Sequence, residues 1–306
     1  MTQDIGRLLS GFRRLVTVAV SSLMLFAGAT TMAQSTADTP PSSRPAAPGL
    51  EALMENPRNP LVAIQTSLGE LQLELFPDAA PQNVQFFLDL TSGNLPLPTP
   101  DSDSPTAPPY YDGLTFHRVL RDTLIQAGDP ERAGRQRPAQ TVIDEINARG
   151  LGLEQQRLLD ASGKPHPWLN IASHDDFRHS VLVPLYRDMG IDSERGLQTQ
   201  LDRALQRLQS MNLFQFHEMQ GYRYDGSLPS RRPVRGSVVM VNRGPGTNDG
   251  EFFIALTDMP WLIGSSTVIG RVVTGMQIAE RISQSPAAST RIYQIRQTNG
   301  SIDTGE

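Results

Sequence analysis

The sequence predicts a mainly β protein: a small closed barrel of eight antiparallel strands with two capping helices and an α-helical insertion. Three observations support this fold class. Eight short runs have the composition or alternation of strands, two further runs have the apolar spacing of helices, and one long stretch between two strands is mostly helical. We expect the sheet to close because closure leaves no exposed edge strand.

The N-terminus has the charged, apolar and small-residue order of a secretory signal peptide over residues 1–33. Its apolar run, 15–27, is short of the roughly 20 residues of a membrane span, and cleavage is expected after Ala33. Residues 34–58 hold too little apolar surface to fold and are expected to form a disordered linker rich in Pro, Ser and Ala. The protein is therefore expected to be periplasmic or secreted, with no stable membrane insertion once the signal is removed.

The folded domain is expected over residues 59–300. Strands at 61–66 and 70–75 form its first hairpin, and the second alternates strictly, with Leu71, Leu73 and Leu75 on the core face and Gln72 and Glu74 on the other. The next element is a helix that starts at Pro81 and stops at Gly93. Later strands are expected at 114–120, 123–127, 237–241, 252–256, 267–273 and 291–296, and a second helix at 276–282.

The insertion is expected at about 147–235, between two barrel strands. Its clearest feature is an apolar stripe at helical spacing: Leu197, Leu201, Leu205, Leu208 and Met211. Another helix starts near Ser173, and Pro184 is expected to end or kink it. Because the insertion joins neighbouring strands, its two ends must lie close together, and its helices are expected to pack mainly on one another. We therefore predict a separable accessory that can be replaced by a short loop.

Composition excludes several classes of chemistry. The chain has no cysteine, which rules out thiol nucleophiles, zinc-thiolate sites and disulfides. Its 27 basic and 32 acidic residues give a net charge of −5, which argues against nucleic-acid binding. Four of the five histidines, His166, His174, His179 and His217, lie in the insertion without the helical spacing of a zinc motif. No metal and no cofactor is therefore expected.

Three clusters of residues carry the functional prediction. The first is YYDGLTFHRVL at 110–120, which runs on to IQAGDP at 125–130; the others are MVNRGPGTN at 240–248 and EFFI at 251–254, followed by Trp261 and Leu262. Their order and spacing resemble the cyclophilin family of peptidyl-prolyl cis–trans isomerases over about 61–296, in an exported, bacterial-like form. The resemblance implies an eight-stranded barrel, and unfolded or extended polypeptides with Xaa-Pro bonds as substrates. It also implies a groove beside the insertion, so we expect the insertion to border the substrate site and its removal to affect long unfolded substrates more than a short peptide. The oligomeric state stays open.

The resemblance also implies which residues act. Arg118 is the catalytic donor to the prolyl nitrogen, and the catalytic residue Gln126 orients it. Phe253, Leu124 and Leu262 line the pocket for the proline ring, and the backbone of Asn242 holds the peptide. The full substrate-binding set consists of Phe116, Leu124, Val241, Asn242, Glu251, Phe253, Trp261, Leu262 and Ser266.

Four positions depart from the usual pattern of the family. Thr123 and Ser266 replace a phenylalanine and a histidine, which opens the pocket, and Val241 replaces a smaller alanine. Glu251 replaces a glutamine; we expect its carboxylate to pair with Arg118 and to weaken activity, so that Glu251→Gln raises it. These departures leave a second prediction open: a chaperone or scaffold with little or no catalysis, which binds client proteins through the barrel groove and the helical insertion.

Overall fold

The computed structural model describes residues 49–95 and 109–298, in which eight strands form one antiparallel sheet. The strands are β1 (Leu61–Thr66), β2 (Gly69–Leu75), β3 (Arg118–Leu120), β4 (Leu124–Ala127), β5 (Ser237–Met240), β6 (Phe252–Ala255), β7 (Val268–Thr274) and β8 (Ile292–Thr298). Their order is β3-β4-β6-β5-β7-β2-β1-β8. The predicted signal peptide, residues 34–48 of the predicted linker and the chain beyond Thr298 lie outside the described residues.

The sheet curls strongly, so that its two edges approach each other beside β3 and β8. The chain before β3 forms an isolated antiparallel bridge from Thr115 to Arg291. Next to it, the backbone N–H of Ile292 donates to the carbonyl of Leu114 at 2.8 Å. In the described part of the chain no strand ladder joins β3 to β8, which differs from the predicted closed barrel. The predicted strand 114–120 is shorter for the same reason, since only Arg118–Leu120 pairs in register with β4.

Six α-helices accompany the sheet in the described residues. They are α1 (Pro81–Ser92), α2 (His174–Phe177), α3 (Val183–Asp188), α4 (Glu194–Ser210), α5 (Leu213–Met219) and α6 (Met276–Ser283), with a π-helical segment at Arg178–Leu182 and 3-10 helices at Leu50–Leu53, Glu131–Ala133, Leu153–Gln155, Pro167–Leu169 and Pro260–Leu262. The bounds of α1 follow from its sequence, because proline fits the first turn of a helix and Gly93 adopts the left-handed backbone (φ 76°) that ends one.

The helices α1 and α6 pack on the sheet as predicted and share one main core with it. Phe87 of α1 and Ile282 of α6 are fully buried there, together with Leu71, Leu73 and Leu75 of β2. The alternation of β2 therefore predicted the core face of this strand correctly.

Glu74 of β2 is a fully buried carboxylate, although the alternation predicts a residue on the uncovered face. Its oxygens accept hydrogen bonds from the backbone N–H groups of Glu55 and Asn56 and the side-chain amide of Asn59, each at 2.9 Å, and from Nε of Arg271 at 3.0 Å. Residues 49–58 thus lie against the sheet and cover Glu74. Residues 49–58, which belong to the predicted linker, are therefore packed against the folded domain.

Glu74 is expected to make stability depend on pH. Burial alone would raise the pKa of Glu74, but the hydrogen bonds from Glu55, Asn56 and Asn59 and the charge of Arg271 outweigh it and lower this pKa below its ordinary value of 4.5. A carboxyl with a lowered pKa stabilises the folded chain at neutral pH, and this contribution is lost as the pH falls through the folded pKa.

Glu74→Gln should therefore reduce the free energy of unfolding at neutral pH by about 2 kcal/mol, because buried partners lose a charged acceptor. The difference in melting temperature from wild type should begin to narrow as the pH falls below 4.5, where the carboxyl of the unfolded chain becomes protonated. It should be smallest below the lowered pKa of the folded chain, where the wild-type carboxyl is neutral in both states. Thermal melts of both proteins over a pH series provide the measurement. A difference that stays constant with pH would contradict this assignment.

The connection between β4 and β5 carries helices where the sequence predicts them. The stripe that starts at Leu197 lies mostly in α4, and the helical run that starts after Ser173 continues to Asp188 through the π-helical segment. Pro184 does not end this run. It has no N–H for the carbonyl of Ser180, which instead accepts a hydrogen bond from Nε2 of Gln220 at 3.5 Å. No helix in the described ranges is long and apolar enough to cross a membrane.

This connection also builds a second core. Its buried members are Ile146, Ala148, Leu151, Leu153, Leu158, Leu159, Val181, Leu185, Leu208, Met211, Leu213, Phe216 and Ile263. The two ends of the segment meet: the backbone N–H of Asp225 donates to the carbonyl of Ile146 at 3.0 Å, and that of Asn147 donates to Oγ of Ser230 at 2.7 Å. Ile263 is the exception in the second core, because it comes from the chain between β6 and β7.

Candidate active site

Four adjacent strands place a row of side chains on the sheet face opposite to the main core. In the register of the sheet, Arg118 of β3 lies opposite Gln126 of β4. Gln126 in turn lies opposite Phe253 of β6, and Phe253 lies opposite Val239 of β5. Directly opposed residues share a face, and neighbours such as Ile125 belong to the main core. The antiparallel register thus sets a cation, an amide and an aromatic ring side by side.

Arg118 and Gln126 are hydrogen-bonded, as the resemblance implies. Arg118 is exposed, whereas Gln126 is buried, and Nη1 of Arg118 donates to Oε1 of Gln126 at 3.1 Å. A guanidinium has five N–H donors in a planar array, and this bond uses one of them. Arg118 can therefore be oriented by Gln126 and still present directed N–H groups to a bound molecule.

An apolar patch adjoins Gln126 on the same face. Its residues are the buried Leu124, Val239, Phe253, Ala255, Met259 and Val268 and the partly buried Val241, Trp261 and Leu262. Five of these nine are among the predicted substrate-binding residues, and Met259 is one of the four that are not. An apolar surface of this kind beside a directed cation suits a ligand that has a small hydrocarbon ring next to a polar group.

Asn242 is held at the rim of this patch by a buried carboxylate. Its side-chain Nδ2 donates to the carbonyl of Ser265 at 2.8 Å and to Oδ1 of Asp144 at 3.0 Å. Asp144 also accepts from the backbone N–H of Gly246 at 2.7 Å, and burial raises the pKa of this carboxyl. The backbone of Asn242 is thereby fixed in place. Ser266 is half-buried, next to Ser265.

Two predicted substrate-binding residues do not face this groove. Phe116 has no exposed surface and lies in the main core, because the backbone around it bonds to the chain before β8 and turns its ring inward. Glu251 is 4% exposed, and its carboxylate is directed toward other protein groups. Both predictions are therefore corrected: Phe116 is a core residue, and Glu251 belongs to a charged cluster.

The charged cluster consists of Asp129, Arg137, Arg243, Asp249 and Glu251. Oε1 of Glu251 accepts from Nη1 of Arg137 at 2.6 Å and from Nη2 of Arg243 at 2.8 Å. Arg137 also pairs with Asp129 at 3.0 Å and with Asp249 at 3.2 Å, and Arg243 pairs with Asp249. Both arginines therefore balance the negative charge of Glu251.

The other oxygen of Glu251 faces the catalytic pair. Oε2 accepts from Nε2 of Gln126 at 2.6 Å and lies 3.3 Å from Nε2 of His117. Glu251 therefore reaches Arg118 through Gln126. The predicted direct ion pair between Glu251 and Arg118 is wrong, because Arg137 and Arg243 supply the positive charge instead.

The cluster keeps Glu251 ionised despite its burial. Burial would raise the pKa of Glu251, but the hydrogen bonds from His117, Arg137 and Gln126 and the charge of Arg137 lower this pKa to about 2. The same pairing raises the pKa of Arg137. Glu251 is thus a carboxylate at neutral pH and can only accept hydrogen bonds there.

The second core supports the loop that carries the patch residues Trp261 and Leu262. Ile263, the next residue, is buried among side chains of the β4–β5 connection. The hydroxyl of Tyr224 donates to the carbonyl of Gly264 at 2.8 Å. The helical connection therefore packs directly on the loop that forms one wall of the candidate site.

Sequence reasoning missed several residues of the site. His117 lies next to Arg118 within the first of the three sequence clusters, and this position could have identified it as a site residue. Arg137 and Asp144 lie in the chain that follows β4, and nothing in their local pattern indicates a partner. Their contacts depend on the path of this loop, which periodicity does not describe.

The described residues contain no group of three or more His, Asp or Glu side chains that could hold a metal ion. Two of the histidines of the connection have structural contacts. Nδ1 of His166 accepts from the backbone N–H of Trp168 at 3.2 Å, and His217 is a buried residue of α5 whose pKa burial lowers to about 4.

The curled antiparallel sheet thus bears, on one face, an arginine oriented by an amide beside an apolar patch. The family model of the cyclophilin type peptidyl-prolyl cis-trans isomerase matches residues 61–299, most of the chain. The chain therefore belongs to the cyclophilin-type peptidyl-prolyl cis–trans isomerase family, which confirms the family predicted from the sequence.

Individual relatives are distant in sequence. The chain is 26% identical over 221 residues to peptidyl-prolyl cis-trans isomerase ppi1 of Schizosaccharomyces pombe, an alignment that covers 72% of this chain and 83% of the relative. It is 22% identical over 225 residues to peptidyl-prolyl cis-trans isomerase B of Streptomyces anulatus, covering 73% and 83%. A crystal structure of a cyclophilin type isomerase of Cryptosporidium parvum matches with 17% identity and a TM-score of 0.43, over 78% of this chain and 98% of that one.

Proposed function

We propose that this protein is an active prolyl isomerase that accelerates the folding of exported proteins at Xaa-Pro bonds, with Arg118 and Gln126 as its catalytic residues. The row of Arg118, Gln126 and Phe253 across three paired strands is the observation that carries this proposal. This row combines, on one surface, a directed cation and an apolar surface that can bind a proline ring. No group in the row forms or breaks a bond, which suits a reaction that only rotates one.

The reaction needs a donor that acts on the twisted state. The barrier to rotation about an amide is about 18–20 kcal/mol, because the nitrogen lone pair is shared with the carbonyl. When the bond twists, the lone pair returns to nitrogen and becomes a hydrogen-bond acceptor. A guanidinium aimed at this nitrogen therefore binds the twisted state more strongly than either planar isomer. Lowering the barrier by about 7 kcal/mol would accelerate rotation by roughly five orders of magnitude.

The remaining site residues hold the substrate. Leu124, Phe253 and Leu262 receive the proline ring, and the backbone of Asn242 binds the extended peptide. Because Asp144 and Ser265 fix the side chain of Asn242, little freedom is lost when the peptide binds. Thr123 and Ser266 leave one end of the pocket for the proline ring open and more polar.

Export is a further part of the proposal and rests on the signal-peptide pattern of residues 1–33. Outside the cytoplasm an isomerase would meet unfolded chains that have just been translocated. N-terminal sequencing of the protein from the cell envelope or medium should find a chain that starts at Gln34. An intact N-terminus on a protein that stays in the cytoplasm would contradict export.

A second candidate function is a chaperone or scaffold with little catalysis. It is favoured by the half-buried leucines Leu197, Leu201 and Leu205 of α4, which lie outside the packed members of the second core. One pair of assays separates the two functions: isomerisation of a short Xaa-Pro peptide, and suppression of aggregation of an unfolded protein. We expect catalysed isomerisation of the peptide. Suppressed aggregation without catalysis would support the scaffold instead.

A further inference from the structure

The hydrogen bond between Gln126 and Glu251 sets the direction in which the Gln126 amide points. A glutamine side chain has one end that donates and one end that accepts. The ionised carboxylate of Glu251 can only accept, so the NH2 end of Gln126 must face it, at 2.6 Å. The oxygen end then faces Arg118, at 3.1 Å. With a neutral amide at position 251, either orientation of Gln126 could be satisfied, and one of them would turn an NH2 group toward the guanidinium.

Arg137 stabilises the ionised carboxylate of Glu251 in this arrangement. A carboxylate that is 4% exposed is unfavourable without a cation, and it would otherwise become protonated and able to donate. Arg137 contacts Glu251 at 2.6 Å and is itself held by Asp129 and Asp249. Arg243 contributes too, but its side chain is 53% exposed against 21% for Arg137.

We infer that Glu251 and Arg137 are positioning residues of this enzyme, which lock the amide of Gln126 so that its oxygen orients Arg118 toward the prolyl nitrogen. The inference rests on the proposed function and adds to it that Arg137, from the β4–β5 connection, acts on Arg118 through Glu251 and Gln126. It reverses the expectation from the sequence, in which Glu251 weakens catalysis.

Two variants test this inference in the full-length chain. Glu251→Gln and Arg137→Ala should each lower kcat by about tenfold with little change in KM, because misorientation of Arg118 affects the twisted state rather than binding of the planar peptide. Arg137→Lys should retain most of the activity, since it keeps a cation at Glu251. The control is Arg149→Ala, which removes an arginine of the same connection whose ion pair with Glu154, at 2.8 Å, lies outside the charged cluster.

A double-mutant cycle separates positioning from a merely structural role. In a Gln126→Ala background there is no amide to orient, so Glu251→Gln and Arg137→Ala should have little further effect on kcat. Full additive losses would overturn the inference, and so would an unchanged kcat in the single variants. If Arg137→Ala melts far below wild type, Arg137→Lys and Glu251→Gln still decide the question. An inactive wild type would contradict the proposed function, which is a separate outcome.

Discussion

Arg118→Ala is expected to lower kcat/KM on a short Xaa-Pro peptide by about two to three orders of magnitude, the usual effect of removing one directed donor from a transition state. The fold should not change, because Arg118 is an exposed residue of the short strand β3 and its described hydrogen bond is the one to Gln126. Arg118→Lys should restore little activity. A lysine supplies a point charge, without the planar array of donors that Gln126 orients.

The matched control for this experiment is Arg121→Ala. Arg121 lies in the turn between β3 and β4, its side chain is 75% exposed, and its ion pair with Asp122 is long at 3.9 Å. Its removal changes the charge of the protein by the same amount as Arg118→Ala but leaves the candidate site intact. Near-normal turnover by Arg118→Ala, with circular dichroism and melting temperature unchanged, would show that Arg118 is not the catalytic donor.

Replacing residues 148–224 with a short Gly/Ser linker is expected to leave the sheet folded but to reduce turnover of even a short peptide by at least about tenfold. The sheet should survive because none of the described members of the main core comes from these residues, and because Ile146 and Asp225 are already hydrogen-bonded. Activity should fall because Ile263 would lose the side chains that bury it, and Gly264 would lose its bond from Tyr224.

This expected result differs from the separable accessory predicted by the sequence, for which the loss would concern mainly long substrates. The measurement is turnover of a short peptide and of an unfolded protein by the same variant, together with its melting curve. Tyr224→Phe provides a milder companion that removes only the hydrogen bond to Gly264. Wild-type turnover of the short peptide after the replacement would restore the accessory model.

The parts of the fold that were predictable are those encoded by local pattern. The alternation of Leu71, Leu73 and Leu75 identified a core face, and Pro81 and Gly93 bounded α1, because these signals depend on the backbone geometry of a few residues. The same reasoning failed for Glu74, which the alternation places on the uncovered face but which residues 49–58 bury. The resemblance likewise placed Glu251 at the substrate, whereas Arg137, from a segment distant in sequence, binds its carboxylate within the charged cluster.

Most of the candidate site was identified through motif spacing rather than through periodicity. Arg118, Gln126 and Phe253 share one face because of the strand register, which single strands do not encode. Phe116 was assigned to the site through the resemblance, but the chain before β3 bonds to the chain before β8 and the ring of Phe116 lies in the main core.

The pairing of β1 with β8 has a kinetic consequence. Leu61 lies opposite Thr298, so the first strand of the sheet acquires its outer neighbour only when the last strand is present. A chain delivered from its N-terminus therefore holds the β1–β2 hairpin with an unpaired edge while more than two hundred residues follow, and contacts of such separation form slowly. The second core is more local in sequence and can assemble during this interval. Completion of the sheet therefore waits for the C-terminal strand, although the strands that carry Arg118, Gln126 and Phe253 all precede it.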